Sequence, residues 1–211
     1  MTALVNRRTP ERRVIPAAII ALLLAVVPSA SAQEPSAAQR AFESGNYQQV
    51  IDAAAATSDP AVLFLGALSA QKLNAPDRVN AFLDQLIQRP PDDAWHFVGL
   101  SAKQLLASDH EAALASARNA TMTNPNLPEA SYMLGLVLIQ RQEWVEAAAA
   151  FDHASMLNPS FAHAFYYAGL AHNRANRPDL MAARFERFLK LAPDAPERTE
   201  VQQVMRTIRG R

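Results

Sequence analysis

The chain has 211 residues, half of them apolar, no cysteine, and 20 basic against 20 acidic side chains. That length supports one well-packed domain, and the missing cysteine excludes disulfides, covalent c-type haem attachment and thiol chemistry. Six glycines, abundant Ala and no sustained alternation of apolar and polar residues point to an all-α fold.

Residues 1–32 differ in kind from the rest. Arg7, Arg8, Arg12 and Arg13 make a basic start, Ala17 to Val27 is an unbroken apolar run, and Ala30-Ser31-Ala32 fits a small-x-small cleavage pattern. Eleven apolar residues rise only ~16 Å as a helix, about half a hydrocarbon core. The stretch therefore reads as a cleavable signal peptide with Gln33 as the mature N-terminus, and the mature chain is expected in the periplasm or outside the cell, without a stable membrane span. A twin-arginine route has only "RRVI" behind it. No Cys follows the run, so a lipoprotein anchor is excluded.

Without the leader the charge is −3, and it is uneven: residues 33–169 hold 7 basic and 14 acidic side chains, residues 170–211 hold 9 and 5. A mildly acidic body with a basic end lacks the concentrated basic face of a nucleic-acid binder.

Residues 33–59 read as a degenerate helical half repeat, with Gly45 and Tyr47 at an inter-helix turn and a short spacing to Pro60. From Pro60 the chain repeats every 34 residues, in units 60–93, 94–127, 128–161 and 162–195. Position 32 of the units holds Pro91, Pro125, Pro159 and Pro193; position 24 holds Leu83, Ala117, Phe151 and Phe185; position 8 holds Ala67, Ser101, Gly135 and Gly169. Each unit has two amphipathic stretches. Small residues at positions 8 and 20 let the two helices approach, and the residue at 24 fills the groove between them. The proline at 32 stops the second helix. Asp92 and Asp93 after Pro91 read as helix N-terminal residues. Residues 196–211 place Val201, Val204, Met205 and Ile208 on one stripe, as a capping helix over the last repeat.

These positions resemble the tetratricopeptide repeat. The clearest unit is "LGLVLIQRQEWVEAAAAFDHASMLNP", where Leu134, Gly135, Trp144, Ala147, Phe151, Ala154 and Pro159 match the signature. The resemblance implies an α-solenoid whose first helices line a concave face. It also implies a non-catalytic protein–protein interaction module, of a kind often used in envelope assembly. Carried onto this chain, the groove positions give Phe64, Trp95, Tyr132, Leu136, His163, Tyr166, Leu170, Asn173 and Arg174 as partner-binding residues, in an aromatic and aliphatic trough. Tyr132 and Tyr166 are expected to be partly exposed there, with plain packing as the competing reading. Such a trough suits an apolar or amphipathic segment of another protein. A carboxylate-gripping mode is rejected, because Lys72, Asn173 and Arg174 do not fall on its positions.

No catalytic motif, phosphate loop or metal-ligand spacing is present, so no enzyme activity, metal or cofactor is expected. The alternative function is structural self-association of copies through apolar end or groove surfaces.

Overall fold

The computed structural model describes residues 35–209; the expected leader and its cleavage site lie outside them. Among the described residues eleven helices run in order: α1 Ala37–Glu43, α2 Tyr47–Ala55, α3 Pro60–Lys72, α4 Pro76–Ile87, α5 Ala94–Leu106, α6 His110–Thr123, α7 Pro128–Gln140, α8 Trp144–Leu157, α9 Ala162–Arg174, α10 Pro178–Leu191 and α11 Arg198–Arg209. Each packs on the helix before it and the helix after it, as a solenoid requires.

Helix boundaries follow local chemistry. Asp59, Asp93 and Asp109 accept hydrogen bonds from Ala61, Trp95 and Ala112 backbone N–H groups at the starts of α3, α5 and α6. Asn124 and Asn158 end α6 and α8, and their side-chain oxygens accept from the Asn126 and Ser160 backbone N–H groups in the turn ahead of the next helix.

The turn inside each helix pair needs one left-handed residue. Gly45, Asn74, Ser108, Gln142 and Asn176 all have positive φ, between 53° and 75°. The last four lie 34 residues apart, but Gly45 precedes Asn74 by only 29. The shortfall falls on α2, which has 9 residues where α4, α6, α8 and α10 have 12 to 14.

Packing within the pairs rests on missing side-chain volume. A Cβ on Gly135 would stand 2.7 Å from the Phe151 ring, and one on Gly169 would stand 2.5 Å from the Phe185 ring. Ser101 takes the same register position in its unit and donates to the Ala113 carbonyl at 2.8 Å. Gly66 and Gly99 work mainly in the other direction: their Cβ positions meet Ala54 and Leu86 on the preceding second helix at 2.4 and 2.7 Å, with Phe82 of its own pair 3.2 Å from that of Gly66. Gly66 therefore stands one place ahead of the in-pair small position because it serves the joint between repeats.

Side-by-side contact links first helices α1 with α3, α5 with α7, and α7 with α9, and among the second helices α2 with α4. The first helices of the pairs thus form the inner layer and the second helices the outer one. At the C-terminal end α11 covers the last pair, burying Val201 and Met205 in a cluster with Met181, Phe185 and Phe188.

Candidate functional site

The inner face is narrower than an open trough. Phe64, Tyr132, His163 and Tyr166, expected to meet a partner, are 0 %, 1 %, 1 % and 7 % exposed. That expectation of an open aromatic surface is corrected by packing. The Tyr132 ring lies 4.7 Å from Phe161, 5.4 Å from Phe151, 5.7 Å from Tyr167 and 6.2 Å from Phe64. Burial pushes its hydroxyl well above the usual tyrosine range, with the neighbouring Tyr167 and Glu197 adding to the shift. The curl of the solenoid brings aromatic side chains of successive inner helices edge to face, a geometry their quadrupoles favour.

The other expected residues divide. Trp95, Leu136 and Leu170 are half-buried, and the Trp95 ring stands 6.2 Å from Phe64. Asn173 and Arg174 are exposed. The Arg174 guanidinium lies 5.7 Å over the Trp144 ring, so it braces the start of α8.

What stays open is lined by leucines with polar groups at the edge. A cavity of about 380 Å³ is lined by Leu68, Ala102, Leu105, Leu106, Met133 and Leu136 among others, with Gln71, Ser108 and Gln140 supplying polar groups. A smaller hollow of about 170 Å³ adjoins it, bounded by Phe42, Leu105, Ile139 and Tyr167. Leu68 and Leu136 share one register position in α3 and α7, with Ala102 between them in α5. Sequence reasoning missed Gln71, Phe42 and Tyr167. Phe42 carried no signal, because it comes from a helix outside the 34-residue period.

The far end of the inner face is closed by polar chemistry. The Glu43 side chain accepts from the Ala162 backbone N–H at 2.8 Å and from the Gln39 amide at 3.1 Å. The same Gln39 amide donates to the Ser160 carbonyl at 2.9 Å, and the Phe42 ring lies 4.6 Å from the His163 ring. Burial pushes the Glu43 carboxyl up to about 7, against the pull of those hydrogen bonds. Nearby, Glu197 pairs with Lys72 at 3.1 Å and faces His163 Nε2 at 3.7 Å. Burial alone would raise the Glu197 carboxyl, but His163 and Lys72 hold it down at about 2. The 3.7 Å separation is too long for a hydrogen bond, and neither ring nitrogen of His163 has a hydrogen-bond partner.

Elsewhere the polar side chains join repeats. Asp152 on α8 accepts from Arg184 Nε at 2.6 Å and lies 3.0 Å from His172 Nε2. Within one helix pair, Ser131 Oγ and His153 Nδ1 are 2.9 Å apart. Among the described residues no three His, Asp or Glu side chains gather as a metal site would need, and no helix is long and apolar enough to cross a membrane.

With helix pairs, left-handed turns and inner-layer contacts in place, the fold is an all-α solenoid of tetratricopeptide type with a C-terminal capping helix. A thermophilic tetratricopeptide protein of Thermus thermophilus, TTC0263, superposes with a TM-score of 0.55 and 21 % identity, over 70 % of this chain and 81 % of that one. The first tetratricopeptide domain of Spaghetti (RPAP3), solved bound to the HSP90 peptide SRMEEVD, superposes with a TM-score of 0.53 and 17 % identity, over 58 % of this chain and 98 % of that one. MamA matches at 21 % identity with a TM-score of 0.48, over 69 % of this chain and 84 % of that one. No protein-family model matches the sequence, and no curated protein does.

Proposed function

We propose that this chain is a non-catalytic protein–protein interaction module of the cell envelope, exported by its leader, that holds an apolar or amphipathic segment of a partner protein against its inner face. One observation carries the reading: half-buried Leu68, Leu105 and Leu136, from three successive inner helices, share one apolar cavity of about 380 Å³. That volume lies at the small end of ligand pockets. It suits one or two large side chains of a docked helix, whose other contacts would run along the groove. A solved domain of the same fold holding a peptide supports peptide binding by a solenoid of this type.

The basic start and short apolar run of residues 1–32 support export. Fractionation of cells expressing the full chain should place it outside the cytoplasm, and N-terminal sequencing should begin at Gln33. A cytoplasmic, uncleaved chain would remove the envelope part of the proposal.

The groove is tested by charge. Leu105→Glu combined with Leu136→Glu should lower partner capture from envelope extract at least tenfold, with the helical circular-dichroism signal retained. Undiminished capture would put the partner elsewhere on the surface. A mass that stays monomeric with rising concentration is the result expected over self-association.

A further inference from the structure

The helix α1 is held from far along the chain. Seven residues are too few for a helix to persist alone in water, and two of its side chains, Gln39 and Glu43, bond to Ser160 and Ala162, 121 and 119 positions away. A third, Phe42, stacks at a tilt on His163. The receiving surface is incomplete without them. Phe161, the residue that opens α9, gives the helix no side-chain cap, so the Glu43 carboxyl supplies the acceptor for a first-turn N–H group that would otherwise go unmatched.

We propose that α1 is a displaceable internal occupant of a second recognition surface, formed by Ser160, Ala162 and His163 at the start of α9. The segment that takes its place is a short helix of a partner protein bearing an aromatic side chain followed directly by a carboxylate. The proposal rests on the reading that the inner face receives partner segments, but it uses residues other than those lining the apolar cavity.

Two observations set the chemistry of the occupant. The seated α1 shows what the surface accepts: a ring against His163, an acceptor on the Ala162 N–H and a donor on the Ser160 carbonyl. The second observation is what α1 leaves undone. His163 is 1 % exposed, yet both its ring nitrogens lack a hydrogen-bond partner, and a buried polar group without a partner costs free energy. A competing segment shifts the equilibrium only through its differential affinity. An acceptor within hydrogen-bond distance of His163 is a contact that neither α1 nor Glu197, 3.7 Å away, makes. The charged and titratable groups facing this junction are Lys72 from α3, Tyr47 from α2, Tyr166 from α9 and Glu197 ahead of α11.

The test uses the whole chain and a fluorescein-labelled peptide of residues 35–46, PSAAQRAFESGN, as the probe. In a chain carrying Gln39→Ala, Phe42→Ala and Glu43→Ala, α1 loses all three of its side-chain contacts to the start of α9, while the receiving surface is unchanged. The peptide should bind this variant at least tenfold more tightly than it binds the unaltered chain. A peptide with Lys in place of its Glu should lose that binding. Equal binding to both chains, or no binding to a variant that keeps its helical signal, overturns the proposal. Hydrogen exchange on the unaltered chain decides the matter even if the variant unfolds. Amides of α1 and of Ala162 should exchange at least tenfold faster than those of α7, and exchange only through global unfolding would overturn it. A variant that forms dimers with rising concentration would make the occupant a second copy, and the assignment to a foreign helix would fall. Ala102→Glu with Leu106→Glu, at residues that line the apolar cavity but not the hollow beside Phe42, should lower partner capture and leave peptide binding unchanged, so the two proposals fail separately.

Discussion

The middle repeats and the junction of α1 with α9 are held by opposite means. Around α5 to α8 the contacts are apolar, close and local: Ala113, Ala117, Ala147 and Ala154 are fully buried, and Phe151 fills the space that Gly135 leaves. At the junction a buried carboxyl, an amide and an imidazole meet across some 120 residues, and His163 is left without hydrogen bonds. Apolar packing makes a joint that opens only with the fold. A polar joint with unmet groups opens at lower free energy and responds to protons and competitors.

The contrast breaks most sharply at Phe151. Phe151→Ala removes a fully buried ring from the middle repeats, and should cost about 3–5 kcal/mol, lowering the melting temperature by about 10 °C. A loss under about 1 kcal/mol by urea denaturation would mean that the middle repeats are not the rigid part.

At the junction the expected effect is next in size and depends on pH. With its carboxyl at about 7, Glu43 holds a proton more tightly in the folded chain than in the unfolded one. Its contribution is greatest at and below the unfolded carboxyl value, and is lost as pH rises through about 7, on the order of 3 kcal/mol across that window. Glu129, also pushed up to about 7 by burial and by Asp59, acts in the same direction. Glu197 acts oppositely, its contribution being lost only as pH falls towards about 2. Glu43→Gln should therefore flatten the decline in stability between pH 5 and 8, seen as a smaller spread of urea midpoints. An unchanged spread would detach Glu43 from the effect.

Smaller again is the joint at Asp152. Asp152→Asn weakens the contacts to Arg184 and His172 and should cost about 1–2 kcal/mol. The smallest effect belongs to the turns. Gln142 sits at φ 62°, where a side chain is strained, so Gln142→Gly should raise stability by about 1 kcal/mol or less. A loss of stability in the Gln142→Gly chain would show that the Gln142 side chain holds the turn.

The fold was largely legible because its signals are local. Gly135 and Phe151, or Gly169 and Phe185, lie within one unit and mark one helix pair. The 34-residue period then stacks the pairs without further information. The inner face was less legible. Tyr132 and Tyr166 occupy positions that would face an open groove, but their exposure depends on how tightly the solenoid curls and on what crosses it. Neither leaves a period in the sequence. Phe42, Gln39 and Glu43 belong to a seven-residue helix with no repeat partner, and their contacts appear only when residues 119 to 121 apart meet.

The 29-residue interval between Gly45 and Asn74 has a consequence for how such arrays acquire control. Five residues amount to ~7.5 Å of helix, enough to move α1 clear of α9 if they were restored to α2. A whole-module change would alter the length of the superhelix; trimming one arm of a terminal hairpin instead changes where its first arm lands. A gate can thus arise by subtraction, at the end of an array, with every interior module left as it was.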